Sequence, residues 1–429
     1  SDLRLELGEP SLVLEFAKIS KAKESWLLQE CIKKWVERAV DCPLVKSRRS
    51  LDLDVTVTKQ RILTPLMVMP ALDEVTVRDA EARETSRRQV YLSGLKRFLA
   101  RRGALIGPCL KHPRDGTLTI LGVDFEPTEV DLNDFVPQPV DREALSILKD
   151  QAEPELLKVI GQNVCGIFGR PDAVEANLVA YHTPLLLIWK GEEIPGWVQL
   201  TNFGDSTTGK RIPRMIKQFI GLGTYVIVET SGRTGLLYSI DEGKEGHVLS
   251  YGEFPLSDRG LVIIDGYDRM QPEERAEFRE SYRQGFLKVR RVVSGQAPMR
   301  VRIIACENVK QALAAYLYPC VSLLENYKAP DIARIDLAIP YRREDVAPEE
   351  IYRAPEPTPD WLPSLKKALK LSVQLAWSRR PDQVRFNPEA VEEIEKEALR
   401  LDEKYGLSDL PLVSRDFDKK LAKLSAGYA

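Results

Sequence analysis

Gly204-Asp205-Ser206-Thr207-Thr208-Gly209-Lys210-Arg211 lies between an apolar, strand-like run (Val198–Phe203) and a helix-like run (Ile212–Ile220). That order suits a phosphate-binding loop. The glycines let successive backbone N–H groups turn toward an anion, the helix N-terminus adds partial positive charge, and Lys210 reaches the outer phosphates. A plain Gly-rich turn is the bland alternative. The position after the lysine should hold Ser or Thr, whose hydroxyl ligates Mg²⁺. Arg211 stands there instead. A guanidinium only donates hydrogen bonds, so it repels a cation and is suited to touch a phosphate directly.

A second feature is the apolar strand Leu261-Val262-Ile263-Ile264, closed by Asp265 and followed by Gly266-Tyr267-Asp268-Arg269-Met270. In nucleotide hydrolases such a carboxylate holds Mg²⁺ through water, and the next residue is often a glutamate that polarises the attacking water. Asp265 keeps the first role, and Gly266 has no side chain for the second. A third feature is basic: Arg283, Lys288, Arg290, Arg291 and Arg300 surround Phe286-Leu287 and Val289. Cations in that setting grip a phosphodiester chain with salt-dependent, sequence-independent affinity. A solvated edge strand protected by its charges is the alternative.

The elements that must position these groups are legible in outline. The chain has 429 residues, which suggests roughly three compact units at about 150 residues each. Lys and Arg total 62 against 64 Asp and Glu, a net charge of −2, so a polycationic coat for nucleic acid is excluded while a local basic patch is not. No run of eighteen apolar residues occurs, and the start lacks the plan of a secretion signal. Cys31, Cys42, Cys109, Cys165, Cys306 and Cys320 are scattered, as are His112, His182 and His247. Neither zinc nor a disulfide framework is expected, and the protein reads as reduced, intracellular and cytoplasmic or nucleoid-associated.

Residues 24–40 have helical apolar spacing, and 51–58 alternate with period two like a strand. Further strands are expected at Val75–Arg78, Val90–Leu95 and Thr117–Val123, consistent with a small barrel. From about Val136, helices (Arg142–Ile160, Asp172–Tyr181) alternate with apolar strands at Val198–Phe203, Thr224–Glu229, Gly260–Asp265 and Val301–Ala305. That texture predicts a sheet covered on both faces, hence α/β architecture. The expected order is a helical subdomain at 1–50, a reduced barrel at 51–135, an α/β core at 136–345, a proline-rich linker at 346–363 and a helical lid at 364–429. The lid helices are Leu365–Arg379, Pro388–Tyr405 and Ser414–Ser425.

These motifs resemble those of the minichromosome-maintenance (MCM) replicative DNA helicases, a family of AAA+ ATPases. Leu256-Ser257-Asp258-Arg259-Gly260 through Asp265 to Met270 is similar to that family's L-A-D-R-G-hhhh-D-E-F-D-K-M, and Gly204-Asp205 opens the loop as its G-D-P-x-x-x-K-S does. Ile303–Asn308 resembles the sensor-1 segment V-I-A-A-A-N, and Ile332–Leu337 resembles L-S-R-F-D-L. Pro411-Leu412-Val413-Ser414-Arg415 resembles the sensor-2 P-V-T-x-R, and Ile167-Phe168-Gly169 through Asp172 resembles S-I-Y-G-H-E-D. The matches are collinear from about residue 140 to the end, and run more weakly back to Leu51.

The resemblance implies a P-loop AAA+ core with a C-terminal helical lid, preceded by a helical bundle and a shortened OB-like β-barrel. Gly204, Asp205, Ser206, Thr207, Thr208, Gly209, Lys210 and Arg211 would hold ATP or ADP weakly, with Asp265 near an impaired Mg²⁺ seat. Asn308 would orient the γ-phosphate or the lytic water, and Arg334 and Arg415 would act on a neighbouring subunit's nucleotide. Lys288, Arg290 and Arg291 would face DNA, Arg291 standing where the family's hairpin lysine usually is. Only about twenty residues separate the barrel's opening and closing strands, enough for one or two strands at roughly 3.3 Å per residue but not for the family's zinc module and hairpin. No winged-helix tail is expected.

Arg211 and Gly266 together predict a poor ATPase: a degenerate homolog, accessory or regulatory in replication, monomeric or weakly associating alone and open to intact MCM subunits in a mixed ring. The alternatives are a working helicase, in which Asp268 orients water and Thr207 or Thr208 reaches the metal, or a single-strand DNA-binding protein indifferent to ATP. A chelatase-like motor is disfavoured by Asp258-Arg259-Gly260. No membrane partner is expected.

Overall fold

A computed structural model of the chain describes residues 63–68, 88–93, 103–107, 109–111, 118–122, 124–127, 135, 138–243, 246–292, 294–352, 356–406, 410 and 412–429. The elements expected at 24–40, 51–58 and 75–78, and Pro411 of the sensor-2-like segment, lie outside them. The chain divides into two compact units, Ser1–Asp131 and Leu132–Ala429.

In the first unit, β1 (Leu63–Val68), β2 (Arg88–Ser93), β4 (Cys109–Lys111) and β5 (Leu118–Gly122) make a sheet of order β1-β2-β5-β4, while β3 (Gly103–Ile106) pairs with β6 (Asp124–Pro127). β2 and β5 run parallel through Tyr91 and Leu92, and the other pairs are antiparallel. Val90, Tyr91 and Leu92 are buried. Among the described residues, two strands, β3 and β4, lie between β2 and β5 in the sequence.

The second unit begins with helical pieces, Pro139–Leu145, Ile147–Asp150 and Glu153–Val159, then a π-helical turn Ile160–Cys165. The expected single helix over 142–160 is therefore broken. Pro154 sits in the first turn of a new helix, where its missing N–H costs nothing. The rest of the unit is α1 (Pro171–His182), β7 (Leu186–Trp189), β8 (Glu192–Pro195), β9 (Gln199–Gly204), α2 (Ile212–Ile220), β10 (Thr224–Ile227), β11 (Tyr238–Gly243), β12 (Gly246–Tyr251), β13 (Leu261–Asp265), α3 (Pro272–Gln284), β14 (Phe286–Arg290), β15 (Ser294–Pro298), β16 (Arg302–Asn308), β17 (Leu337–Tyr341), α4 (Leu362–Ser378), α5 (Pro388–Tyr405) and α6 (Phe417–Tyr428). The strand expected to reach Glu229 stops at Ile227, and the chain turns helical from Val228 to a break at Gly232, whose φ of 53° is left-handed.

The central sheet has five parallel strands in the order β10-β13-β16-β9-β17. Its sequence explains its burial. Val262 and Ile264 of β13 enter one core with Ile303 and Ala305 of β16, while Leu261 and Ile263 enter the other with Ile304 and Cys306. Both faces are covered, so alternation disappears and a continuous apolar run remains. Each large aliphatic group buried this way contributes ~1.5–3 kcal/mol. α2 covers one face through Ile212, Ile216 and Ile220, spaced four apart, and ends at Gly221 with φ 77°. The chain leaves β9 for β10 at the far edge, returns through β13 and β16, and fills the other side with β17. The reversal beside β9 leaves a crevice at the carboxyl ends of the strands, where such sheets bind ligands.

Candidate functional site

The loop from Gly204 to Arg211 leaves β9 at that crevice. Gly204 has φ 145° and Gly209 φ 104°. A Cβ at 204 would collide with the Tyr341 carbonyl on β17, so glycine is required where loop and sheet touch. Thr207 at the tip holds φ 65°, a conformation β-branched residues rarely adopt. The hydroxyls turn into the loop itself: Thr207 Oγ1 donates to the Ser206 carbonyl and Thr208 Oγ1 to the Asp205 carbonyl, each at 2.6 Å. Asp205 anchors the loop to two other segments, accepting the backbone N–H of Leu313 at 2.9 Å and of Arg343 at 3.1 Å.

Lys210 curls over this loop. Its Nζ donates to the Gly204 carbonyl at 2.8 Å and to the Asp205 carbonyl. Burial lowers its pKa to about 8, against the raising influence of Cys306, Asp205, Asp268 and Asp265. A desolvated ammonium with carbonyls as its partners gains from an arriving anion. Arg211 is exposed at the start of α2 and donates from Nη2 to the Gly166 carbonyl at 2.9 Å. It is thus tethered to the Ile167–Asp172 segment. That segment is locked by buried Arg170, which pairs with Asp172 at 3.0 Å, donates to the Pro340 carbonyl at 2.9 Å and lies over the Tyr341 ring.

Asp265 ends β13, two strands from β9, and accepts the Tyr225 hydroxyl from β10. Tyr225 is pushed up in pKa by burial and by that carboxylate, and Arg214 lies 5.2 Å from its ring. Gly266 follows in a left-handed turn, φ 76°, its N–H bonded to the Cys306 carbonyl at 3.0 Å. A Cβ there would meet only Arg269 Cδ, at 3.7 Å. Space for a side chain exists; the backbone conformation is what disfavours one, by ~1–2 kcal/mol. Asp268 accepts the backbone N–H of Asn308 at 3.3 Å, so it braces the sensor-1-like residue.

Beside Asn308, Glu307 is 1% exposed. Its two carboxyl oxygens and the facing Tyr327 hydroxyl form no well-made hydrogen bond among the described residues. Burial raises its pKa to about 8. An acid directly after the apolar run Ile303–Cys306 was the signal available in the sequence. The partners Tyr225 and Arg214 carried no such signal, because their role depends on which strand neighbours β13.

Arg334 is exposed and pairs with Asp331 at 3.7 Å. The carbonyls on either side of it, Ala333 and Ile335, are held by Lys420 Nζ from α6, and Lys423 on the same helix pairs with Asp336 at 3.1 Å. Arg415 is exposed in the turn before α6. Among the described residues, neither arginine is hydrogen-bonded or ion-paired to the loop of its own chain. β14 and β15 form the expected hairpin, Phe286 opposite Pro298 and Arg290 opposite Ser294. Leu287 and Val289 point inward, while Lys288 and Arg290 share the exposed face. Arg291 lies beyond the strand in the connection, also exposed. A cleft of about 470 Å³ runs beneath them, lined also by Tyr238, Glu277 and Glu280.

Magnesium fits these side chains poorly. A guanidinium occupies the hydroxyl position, and one oxygen of the carboxylate that ends β13, Asp265, accepts the Tyr225 phenol. Mg²⁺ needs near-octahedral oxygen ligands. No cluster of three or more His, Cys, Asp or Glu suited to a metal occurs among the described residues. No described helix is long and apolar enough to cross a membrane.

Residues 149–322 match the family model for the MCM P-loop domain, which points to nucleotide binding, in general with Mg²⁺. The chain is similar to the DNA replication licensing factor MCM5 of Arabidopsis thaliana, 24% identical over 34% of this chain and 22% of that protein. It is also similar to the minichromosome maintenance protein MCM of Saccharolobus solfataricus, 23% identical over 38% and 25%. The DNA replication licensing factor MCM4 of Arabidopsis thaliana is 24% identical over 43% and 22%. Each match therefore spans a quarter or less of the relative's length.

Proposed function

Because the chain is related to the MCM family through its P-loop domain, we propose that it is an MCM-like DNA replication protein that grips a nucleoside triphosphate but turns it over poorly. One observation carries the reading. Asp265 is followed by glycine in a left-handed turn, so the position beside it offers no carboxylate to polarise water. Lys210, the glycine loop and the N-terminus of α2 remain to bind phosphate. Losing one group that stabilises developing charge costs ~10²–10³ in rate, and Arg211 compounds the loss.

In this reading Asn308 faces the terminal phosphate, and Arg334 and Arg415 reach a neighbouring subunit, Arg334 on a turn that Lys420 fixes. Lys288, Arg290 and Arg291 grip DNA non-specifically. The N-terminal unit is a reduced OB-like barrel, and the protein alone is monomeric or weakly associated, serving intact MCM subunits as an accessory or regulatory partner. The test is phosphate release by the purified protein with ATP, Mg²⁺ and single-stranded DNA, alongside Lys210→Ala. Background rates for both are expected. Turnover near that of ordinary enzymes, ~1 s⁻¹ or faster, and lost in Lys210→Ala would end the proposal.

A further inference from the structure

The carboxylates around the phosphate loop are already engaged by the protein. Asp205 accepts two backbone N–H groups, from Leu313 and Arg343, one on each oxygen. Asp265 accepts the Tyr225 hydroxyl, and Asp268 accepts the Asn308 N–H at 3.3 Å. Asp265 is itself exposed, and exposed cations stand in the same part of the fold. Arg211 and Arg214 are both exposed, at the start and in the first turn of α2, and Lys210 stands at the end of the loop. Tyr225 already occupies one oxygen of Asp265, Oδ2, so a divalent ion arriving with its nucleotide would have to compete with the phenol for that carboxylate. It would also have to sit where a donor-only guanidinium replaces an oxygen ligand.

A metal-free triphosphate meets no such obstacle. It is the more highly charged form, and donors with fixed positive charge favour it.

We infer that this site is built for a nucleoside triphosphate free of divalent metal: Arg211 and Arg214 supply the positive charge the ion would bring, and Tyr225 competes with the ion for Asp265. The inference rests on the nucleotide-binding reading above and specifies the ligand's ionic form. It departs from the Mg²⁺ seat that the P-loop motif implies, and the departure lies in two side chains, Arg211 and Tyr225.

The experiment is calorimetric titration of the full chain with ATP at constant ionic strength, once with EDTA and once with excess Mg²⁺. The affinity in EDTA is expected to equal or exceed that in Mg²⁺. Binding tenfold or more tighter with Mg²⁺ overturns the inference and leaves the nucleotide reading standing. No binding in either buffer overturns the nucleotide reading itself, and this inference with it. Arg211→Thr restores the hydroxyl and Tyr225→Phe frees Asp265. Each is expected to shift the EDTA-to-Mg²⁺ affinity ratio at least threefold toward Mg²⁺, with circular dichroism confirming that the variants are folded. An unchanged ratio in both variants overturns the roles given to Arg211 and Tyr225.

Discussion

Replacing Lys210 by methionine removes a cation that the site holds at a cost. Burial lowers its pKa from 10.5 to about 8. The folded pKa lies below the unfolded one, so the stability linked to this group is complete above pH 10.5 and is lost as pH falls through about 8. The shift corresponds to ~3 kcal/mol at 1.36 kcal/mol per unit, and about 2 kcal/mol is a fair expectation once solvent screening at a partly exposed site is allowed for.

Denaturant unfolding of the parent and Lys210→Met at pH 7.5 and pH 10 isolates this quantity as a double difference, since other groups titrate equally in both. The parent is expected to gain about 1–1.5 kcal/mol on the variant between the two pH values, since pH 10 stops short of the unfolded pKa. ATP at a hundred times its dissociation constant is expected to stabilise the parent by ~2.7 kcal/mol at pH 7.5, and the variant by far less. A double difference near zero, or equal stabilisation of both proteins by ATP, would refute the view of Lys210 as a desolvated cation waiting for an anion.

Other perturbations test neighbouring parts. Glu307 has its pKa raised from 4.5 to about 8 by burial, so the stability it contributes is full below about pH 4.5 and declines as pH rises through 8. Glu307→Gln is expected to pull ahead of the parent by up to ~1.4 kcal/mol per pH unit across that window, as read by thermal melts from pH 5 to 9. Alanine at Lys288, Arg290 and Arg291 together is expected to weaken single-strand DNA binding and flatten its log–log salt dependence by as much as ~2, at about 0.7 per phosphate contact, measured by fluorescence anisotropy. Lys420→Met strands the Ala333 and Ile335 carbonyls, with an expected loss of ~2 kcal/mol and faster hydrogen exchange at 333–336.

Much of the second unit is legible in the sequence because burial on both faces writes itself as uninterrupted apolar runs. The runs at 261–264 and 303–305 and the helix at 212–220 are found where their composition places them. The hairpin was expected from the family resemblance rather than read from spacing, and the structure shows its first strand alternating, Leu287 and Val289 buried and Lys288 and Arg290 exposed. The helix over 142–160 was less legible, since helical spacing does not reveal that Pro154 opens a new helix or that Ile160–Cys165 widens to a π-turn. At the site, the loop glycines and Lys210 declare themselves by spacing. What spacing could not supply is the company each group keeps. Tyr225 reaches Asp265 because β10 pairs with β13 in register, Ile227 opposite Asp265. Lys420 reaches either side of Arg334 from sequence separations of 87 and 85. Thr207, Thr208 and Asp268, which composition offers as substitutes for the missing groups, are spent on the loop's own carbonyls and on the Asn308 backbone.

The central claim is that the pocket retains the grip on phosphate and has lost the means to cut it. Its most direct test is the fate of nucleotide already bound: radiolabelled ATP mixed with excess protein and single-stranded DNA, Mg²⁺ present, then quenched over an hour and separated. The structure leads one to expect protein-bound label that remains ATP throughout. Conversion of the bound label to ADP within seconds would contradict it.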